Sequence, residues 1–325
     1  MSGTGAVAGA VAITGATGLV GTALAASCAR DGIKVAALVR DTRLGAERLP
    51  SAKLHAWDAT GAPPPEAAFE GVDVVVNLVG ESISSGRWTE ARKKRLRDSR
   101  VVGTRALVDV LRGLPKRPSV LISASGVGYY GDRGDEILTE TSSLGTGFIA
   151  ELGRDWEAEA MKAAEIGMRV VILRSGLVLA RDAGILRKIL PPFRLGLGGK
   201  IGSGAQWMPW IHLDDEVGLI RHVMAHEEVK GPLNLVAPEP VTNGEFVRAL
   251  GETLGRPTAL MAPAFALRLA FGAMTDELLL ASQRAMPVRT METGYVFRHP
   301  LLREALGEIL DNGRSGAPAA AASSS

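Results

Sequence analysis

Gly15, Gly18 and Gly21 recur every third residue in VAITGATGLVG (Val11–Gly21), where an apolar run gives way to a helical pattern. The first glycine permits a tight turn, the second lets backbone approach a pyrophosphate, and the third lets helix and strand pack closely. A helix starting there, with Thr17, Leu19 and Val20 around its first turn, offers free N–H groups and the positive end of its dipole to phosphates. Arg40 closes the next apolar run, about twenty residues further on. An acidic side chain at that place takes the 2′-hydroxyl of NAD, whereas a guanidinium takes the 2′-phosphate of NADP. Arg40 therefore makes NADP(H) the expected cofactor, although Asp41, directly after it, argues the other way. Asp58 follows the third apolar run and is placed to meet the adenine. Leu78, Val79, Gly80 and Glu81 end the fourth, where small and apolar groups line ribose and pyrophosphate.

Acid–base chemistry has its candidates in SASGVGYYGDRGDE (Ser123–Glu136), where Ser125 is followed by Tyr129 and Tyr130. A free phenol has a pKa of about 10, so a tyrosine needs a nearby cation to exchange protons at neutral pH. Glu81 offers a carboxylate as a further candidate.

These groups need a scaffold. Short apolar runs without polar alternation occur at Ala10–Thr14, Lys34–Val39, Lys53–Ala56, Val72–Leu78, Ser119–Ala124 and Arg169–Leu173. They read as strands buried on both faces. Helical patterns at Val20–Arg30, Thr89–Arg112 and Phe148–Ile166 lie between them. The alternation predicts an α/β fold, a Rossmann-type doubly wound parallel sheet. After about Leu179 the rhythm breaks. Gly and Pro punctuate Pro191–Pro209, Asp214–Ala225 reads as a helix, Pro232–Leu235 as a strand, and the remainder as helices with proline stops. The expected division is a flexible lead-in at 1–9 and a Rossmann domain at 10–180, to which 208–236 returns. A smaller, mostly helical substrate lobe takes 181–207 and 237–310, and a disordered tail 311–325.

With those motifs in order, the chain resembles the extended short-chain dehydrogenase/reductase superfamily. More narrowly it resembles the atypical "epimerase family" branch, which is sugar-nucleotide-epimerase-like and linked to cell division. The branch's marks are NLVGESISSGRWTEARKKRLRDSRVVGT (Asn77–Thr104), SASGVGYYGDRGDE, GFIAELGRDWEAEA (Gly147–Ala160) and PPFRLGLGGKIGSGAQWMPWIHLDD (Pro191–Asp215). A C-terminal module spans Arg256–Leu306. The resemblance implies that Ser123 and Arg100 face the cofactor and that Ser125 orients the substrate carbonyl. It also implies a Tyr-x-x-x-Lys pair on the following helix, near Ile149 and Gly153. Neither those positions nor Phe148 and Leu152 carry the needed groups, and the nearest basic residues are Arg154 and Lys162.

Other features read more plainly. The 325 residues carry a net charge of +2, and the basic run Arg92–Arg97 reads as a solvated helix face, so no nucleic-acid partner is expected. No run is long and pure enough for a membrane span. Cys28 is the only cysteine, which excludes an internal disulfide and suits a reducing compartment, the cytoplasm. His222 and His226 have zinc-ligand spacing without further ligands, so no metal is expected. Trp207, Met208 and Trp210 are candidates to line a pocket, and Phe265–Phe271 reads as a helix buried against its own lobe. Together these features point to an NADP(H)-binding oxidoreductase or epimerase-like enzyme on a small, polar, nucleotide-linked substrate, with a homo-oligomer or protein partner left open. The alternative is a non-catalytic NADP(H)-dependent regulator.

Overall fold

The computed structural model describes residues 9–181 and 183–311. The expected lead-in and tail therefore lie outside the described residues, apart from Gly9 and Asp311. Seven parallel strands form the central sheet: β1 (Ala10–Thr14), β2 (Lys34–Val39), β3 (Lys53–Ala56), β4 (Val74–Asn77), β5 (Val120–Gly126), β6 (Arg169–Ser175) and β7 (Gly231–Leu235). Their order across the sheet is β7-β6-β5-β4-β1-β2-β3. The chain starts in the middle, winds out through β2 and β3, then crosses to β4 on the other flank. Between β1 and β4 the winding reverses, and ligands of such folds bind there, beyond the carboxyl ends of the strands.

Successive residues of each strand feed opposite cores, as the period of two requires. Val11, Ile13, Val35, Val74, Val76, Ile122 and Val171 face one core, together with Leu24, Leu219 and Ile220 from helices α1 (Leu19–Arg30) and α7 (Leu213–Ala225). Ala12, Leu38, Val75, Leu121 and Ile172 face the other, with Leu107 and Leu111. A sheet covered on both sides has no polar face to show, which is why its strands read as unbroken apolar runs.

The helices depart from expectation in two instructive places. The pattern over Thr89–Arg112 predicts one helix. The chain instead forms α3 (Glu90–Arg97), a π turn (Asp98–Val102) and α4 (Gly103–Gly113). Gly103 packs so closely on the loop after β3 that a Cβ there would lie 2.7 Å from that of Ala59. Proline and glycine hid α6 (Gly184–Arg194), which holds Pro191 and Pro192 near its C-terminal end. Shorter helices are α2 (Thr42–Arg48), α9 (Ala264–Phe271) and α10 (Val288–Glu292). Longer ones are α5 (Phe148–Met161), α8 (Asn243–Leu254) and α11 (Leu302–Asp311).

A third core, with Leu186, Phe193, Trp210, Phe246, Leu250 and Leu306, joins α6, α8 and α11. The segment after α9 is tied to β7 and to α7 by two buried carboxylates. Glu140 accepts from the backbone N–H of Asn234, Arg289 and Thr290. Asp215 accepts from the Tyr295 hydroxyl and from the N–H of Arg298 and His299. One expectation fails here. The helix at Phe265–Phe271 contains no buried residue, and Phe265 and Leu269 are 73% and 80% exposed. Its apolar spacing is real, but among the described residues only the turn after it, through Thr275 and Asp276, bonds to it, and its apolar side chains stay at the surface. Among the described residues no helix is long and apolar enough to cross a membrane.

Candidate functional site

Gly15 turns with φ +63°, and a Cβ on it would lie 2.7 Å from the carbonyl oxygen of Leu78. A Cβ on Gly21 would lie 2.6 Å from the Gly15 carbonyl oxygen, so this glycine lets α1 close onto the turn. Gly18 differs: a Cβ there would meet only the Gly15 carbonyl oxygen, at 3.1 Å, and the residue lines an open cleft with Thr17, Leu19 and Val20. Among the described residues no side chain caps α1, and no acid lies in its first turn. An uncapped helix end beside a glycine cradle fits a pyrophosphate.

Beyond the turn, Arg40 is exposed at the end of β2. Asp41 caps α2, accepting from the N–H of Arg43 and Leu44 at 2.9 and 3.1 Å, so its carboxylate is committed to the backbone. Asp58 accepts from the backbone and hydroxyl of Thr60, and these bonds, with the nearby charge of Arg40, hold its carboxyl below the usual range. Arg48 lines the cleft and donates to the Thr17 carbonyl at 2.9 Å. Sequence reasoning missed it, because nothing local marks a helix-end arginine as facing a loop 31 residues earlier.

Arg100 sits in the π turn, is buried and lines the cleft. It donates to the carbonyl of Glu81 at 2.8 Å, and its Nε has no hydrogen-bond partner among the described residues. Burial and the neighbouring Arg92 push its pKa down to about 10. Gly80 makes room for it, since a Cβ there would be 2.9 Å from the guanidinium carbon. Glu81 is paired with Arg92, which removes it from the free carboxylates. Ser123 is fully buried and accepts from Asn77, whose amide also reaches Thr104 while Thr14 donates to its oxygen. That network joins the ends of β1 and β4 to the middle of β5 and to α4. The lining itself does not include Arg40, Asp58, Leu78, Val79, Gly80, Glu81, Ser123 or Tyr130.

The cleft continues to Ser125, whose hydroxyl donates to Glu157 at 2.6 Å. Arg174 holds that carboxylate with two bonds, 2.9 and 2.8 Å, and lies over the Tyr129 ring, 3.6 Å from its centre. Tyr129 faces the cleft, but Tyr130 does not: it is fully buried, donates to Asn234 at 2.7 Å and accepts from Arg174 at 3.1 Å. Burial raises its pKa. Tyr130 is therefore removed from the candidate proton donors. Ile149 and Gly153 line the cleft beside Tyr129, and the basic residues near them are turned elsewhere, Arg154 to Asp155 and Lys162 to Glu159. One strand further, Ser175 donates at 2.6 Å to Glu216, which is fully enclosed and pushed by burial up to about 7.

The whole cleft measures about 1580 Å³, more than a single small ligand needs. Trp207 and Met208 line its far side with Asn243 and Phe246, whereas Trp210 is buried in the third core. His222 and His226 stack on each other, and His222 meets Thr293. His212, Asp214 and His299 form a cluster that could hold a metal ion, but the His212 Nδ1 already accepts from the Asp214 N–H as the cap of α7.

The sequence profile described as the NAD dependent epimerase/dehydratase family matches residues 11–236. The chain belongs to that family. A domain of unknown function, DUF1731, matches residues 262–309, the part that Asp215 and Glu140 clasp. Among family relatives, epimerase family protein ML0860 of Mycobacterium leprae is 42% identical over 296 residues, 91% of this chain and 94% of that one. Human epimerase family protein SDR39U1 is 36% identical over 303 residues, 92% of this chain and 99% of that one. The crystal structure of human SDR39U1 (isoform 2) with NADPH superposes with a TM-score of 0.82 at 35% identity, covering 93% and 99% of the two chains. A nucleoside-diphosphate sugar epimerase from Corynebacterium glutamicum gives 0.73 at 34% identity, over 94% of this chain and 60% of that one.

Proposed function

We propose that this chain binds NADP(H) in the cleft and acts as an oxidoreductase or epimerase-like enzyme on a small, polar, nucleotide-linked substrate. The observation that carries the reading is continuity: the open glycine turn of α1 and the Ser125 hydroxyl lie in one lining. A ligand anchored by its pyrophosphate at one end extends toward the acid–base groups at the other. When bound, the nicotinamide supplies hydride transfer. The chain's own part is to hold phosphates at Gly15–Gly21, take the 2′-phosphate with Arg40, and orient substrate with Ser125 and Tyr129. Binding of NADPH by human SDR39U1 supports the cofactor, and the relative named as a nucleoside-diphosphate sugar epimerase supports the substrate class. A single, buried cysteine is compatible with work in the cytoplasm.

Calorimetric titration tests the cofactor. NADPH is expected to bind at least about tenfold tighter than NADH, the scale of one charge-assisted contact to a phosphate. Equal affinities would remove the role given to Arg40. One observation favours a second reading, a cofactor-dependent regulator: Ile149 and Gly153 stand where a phenol and an ammonium do chemistry in relatives of this fold. Tight NADPH binding, no turnover, and a protein partner captured only with NADPH would decide for it.

A further inference from the structure

Residues four apart on a helix share a face, so the row begun by Ile149 and Gly153 on α5 continues one turn on to Glu157. Its carboxylate cannot swing away, because Arg174 grips it with Nε to Oε1 at 2.9 Å and Nη2 to Oε2 at 2.8 Å. Arg174 is itself fixed, donating to the Tyr130 hydroxyl and to the Glu140 carbonyl and resting on the Tyr129 ring. Burial works against the charge of this guanidinium, and the bonds and charge of Glu157 more than offset it. Ser125 Oγ lies 2.6 Å from the same Glu157 Oε1. A serine has one hydrogen, and a carboxylate has none to give. The hydrogen of Ser125 is thus committed to Glu157, and what Ser125 offers the cleft is its lone pairs. An acceptor so placed matches a ligand hydroxyl, not a ligand carbonyl.

We propose that Glu157, acting through Ser125, is the proton acceptor of this cleft, and that the group delivering the proton is a hydroxyl on a carbon that gives up hydride. The proposal rests on the reading of the cleft as an NADP(H) site, and the Ser125–Glu157 pair takes the place of the absent phenol and ammonium. The substrate O–H proton moves to Ser125 Oγ as the Ser125 proton moves to Glu157 Oε1. The C–H electron pair leaves with its hydrogen as hydride to the oxidised nicotinamide dinucleotide, and the carbon–oxygen double bond forms. In reverse, the Glu157 carboxyl returns its proton through Ser125 to a carbonyl. Glu157 is a positioning residue in this scheme, since Ser125 alone touches the substrate.

The test uses the full chain loaded with NADP+, with UDP-glucose and cyclohexanol as probe alcohols, in wild type, Ser125→Ala, Glu157→Gln and Glu157→Asp. Reduced cofactor is followed by absorbance between about pH 5 and 9. NADPH dissociation constants and saturation transfer from the protein to UDP-glucose are measured alongside. The expected result is reduction by at least one probe, down about a hundredfold in Ser125→Ala and Glu157→Gln and partly kept in Glu157→Asp. NADPH affinity should stay the same in all three variants, so that the loss lies in turnover and not in cofactor binding. Ser125→Ala leaves the Arg174–Glu157 pair intact and guards against misfolding as the cause. A Glu157→Gln rate equal to wild type, or a Glu157→Asp rate no better than that of Glu157→Gln, would overturn the proposal, as would no reduction by either alcohol in a chain that binds NADPH. Failure of the wild type to bind NADPH would instead overturn the cofactor reading.

Discussion

Arg40 and Asp41 stand side by side at the end of β2, and the fold assigns them different work. Asp41 spends its carboxylate on the first turn of α2, leaving Arg40 as the charged group for a ribose substituent. Arg40→Ala should therefore weaken NADPH by about tenfold or more and leave NADH unchanged, as calorimetry on both cofactors would report. The glycines and Arg40 were legible because their chemistry is local in sequence. Glu157 and Arg174 were not: the first reaches Ser125 across 32 residues and the second reaches Glu157 across 17. The adjacent tyrosines were legible as a pair but not as opposites. They end a 3₁₀ turn, Val127–Tyr130, in which neighbours point about 120° apart, so one ring meets the cleft and the other the interior. Glu216 carries a pH consequence of its own. Its pKa is raised to about 7 in the fold from an ordinary 4.5, so the folded state favours the neutral acid. Stability from this group is complete below about pH 4.5 and is lost as pH rises to about 7, by about 3 kcal/mol. Urea unfolding should show that loss in wild type and a flatter profile across the same window in Glu216→Gln.

At the scale of elements, the turn between β1 and α1 separates two kinds of glycine. Gly21→Val forces a side chain against backbone 2.6 Å away and should destabilise the fold by several kcal/mol, seen as a lower melting temperature. Gly18→Val should keep the circular dichroism and melting behaviour near wild type while abolishing NADPH binding, because its side chain fills the approach to the phosphates. Equal losses of stability in both variants would contradict the assignment. All seven sheet strands were readable to within two residues at each end, since burial on both faces leaves an unbroken apolar run that turns must bracket. The interruption between α3 and α4 was not readable. A π turn alters the helix phase through one wider backbone loop, and it ends where Gly103 packs on Ala59, far away in sequence. Such turns recur at functional sites, and this one carries Arg100 into the cleft. Helix α6 was missed for the opposite reason. Pro191 and Pro192 each remove an N–H that would donate to the carbonyl four residues back, and the pattern breaks there in sequence, yet the helix continues to Arg194.

Across the whole molecule, the cleft belongs to both halves, with the glycine turn on one wall and α6, α8 and Met274–Leu279 on the other. The two buried carboxylates keep those halves in register. Asp215→Ala would leave two backbone N–H groups and one phenol without their charged acceptor, and should lower stability by about 3 kcal/mol or more in urea. NADPH affinity should fall less than stability, since Asp215 lies outside the cleft lining. The clasp at Glu140 has a further consequence, in the order of manufacture. Strand β7 is the last strand of the sheet to be synthesised, and among the described residues its outer edge is met by Glu140 at the Asn234 N–H, by the Arg289 guanidinium at the Pro232 carbonyl and by the Thr290 hydroxyl at the Asn234 carbonyl. A growing chain that has just completed β7 therefore leaves the Pro232 and Asn234 carbonyls of that edge without these partners until the ribosome has added more than fifty residues. At about 5–20 residues per second that interval lasts for several seconds. Nascent chains halted shortly after β7 should consequently be held by chaperones and cut by protease, and chains extended past the Asp215 partners at Arg298 and His299 should resist both.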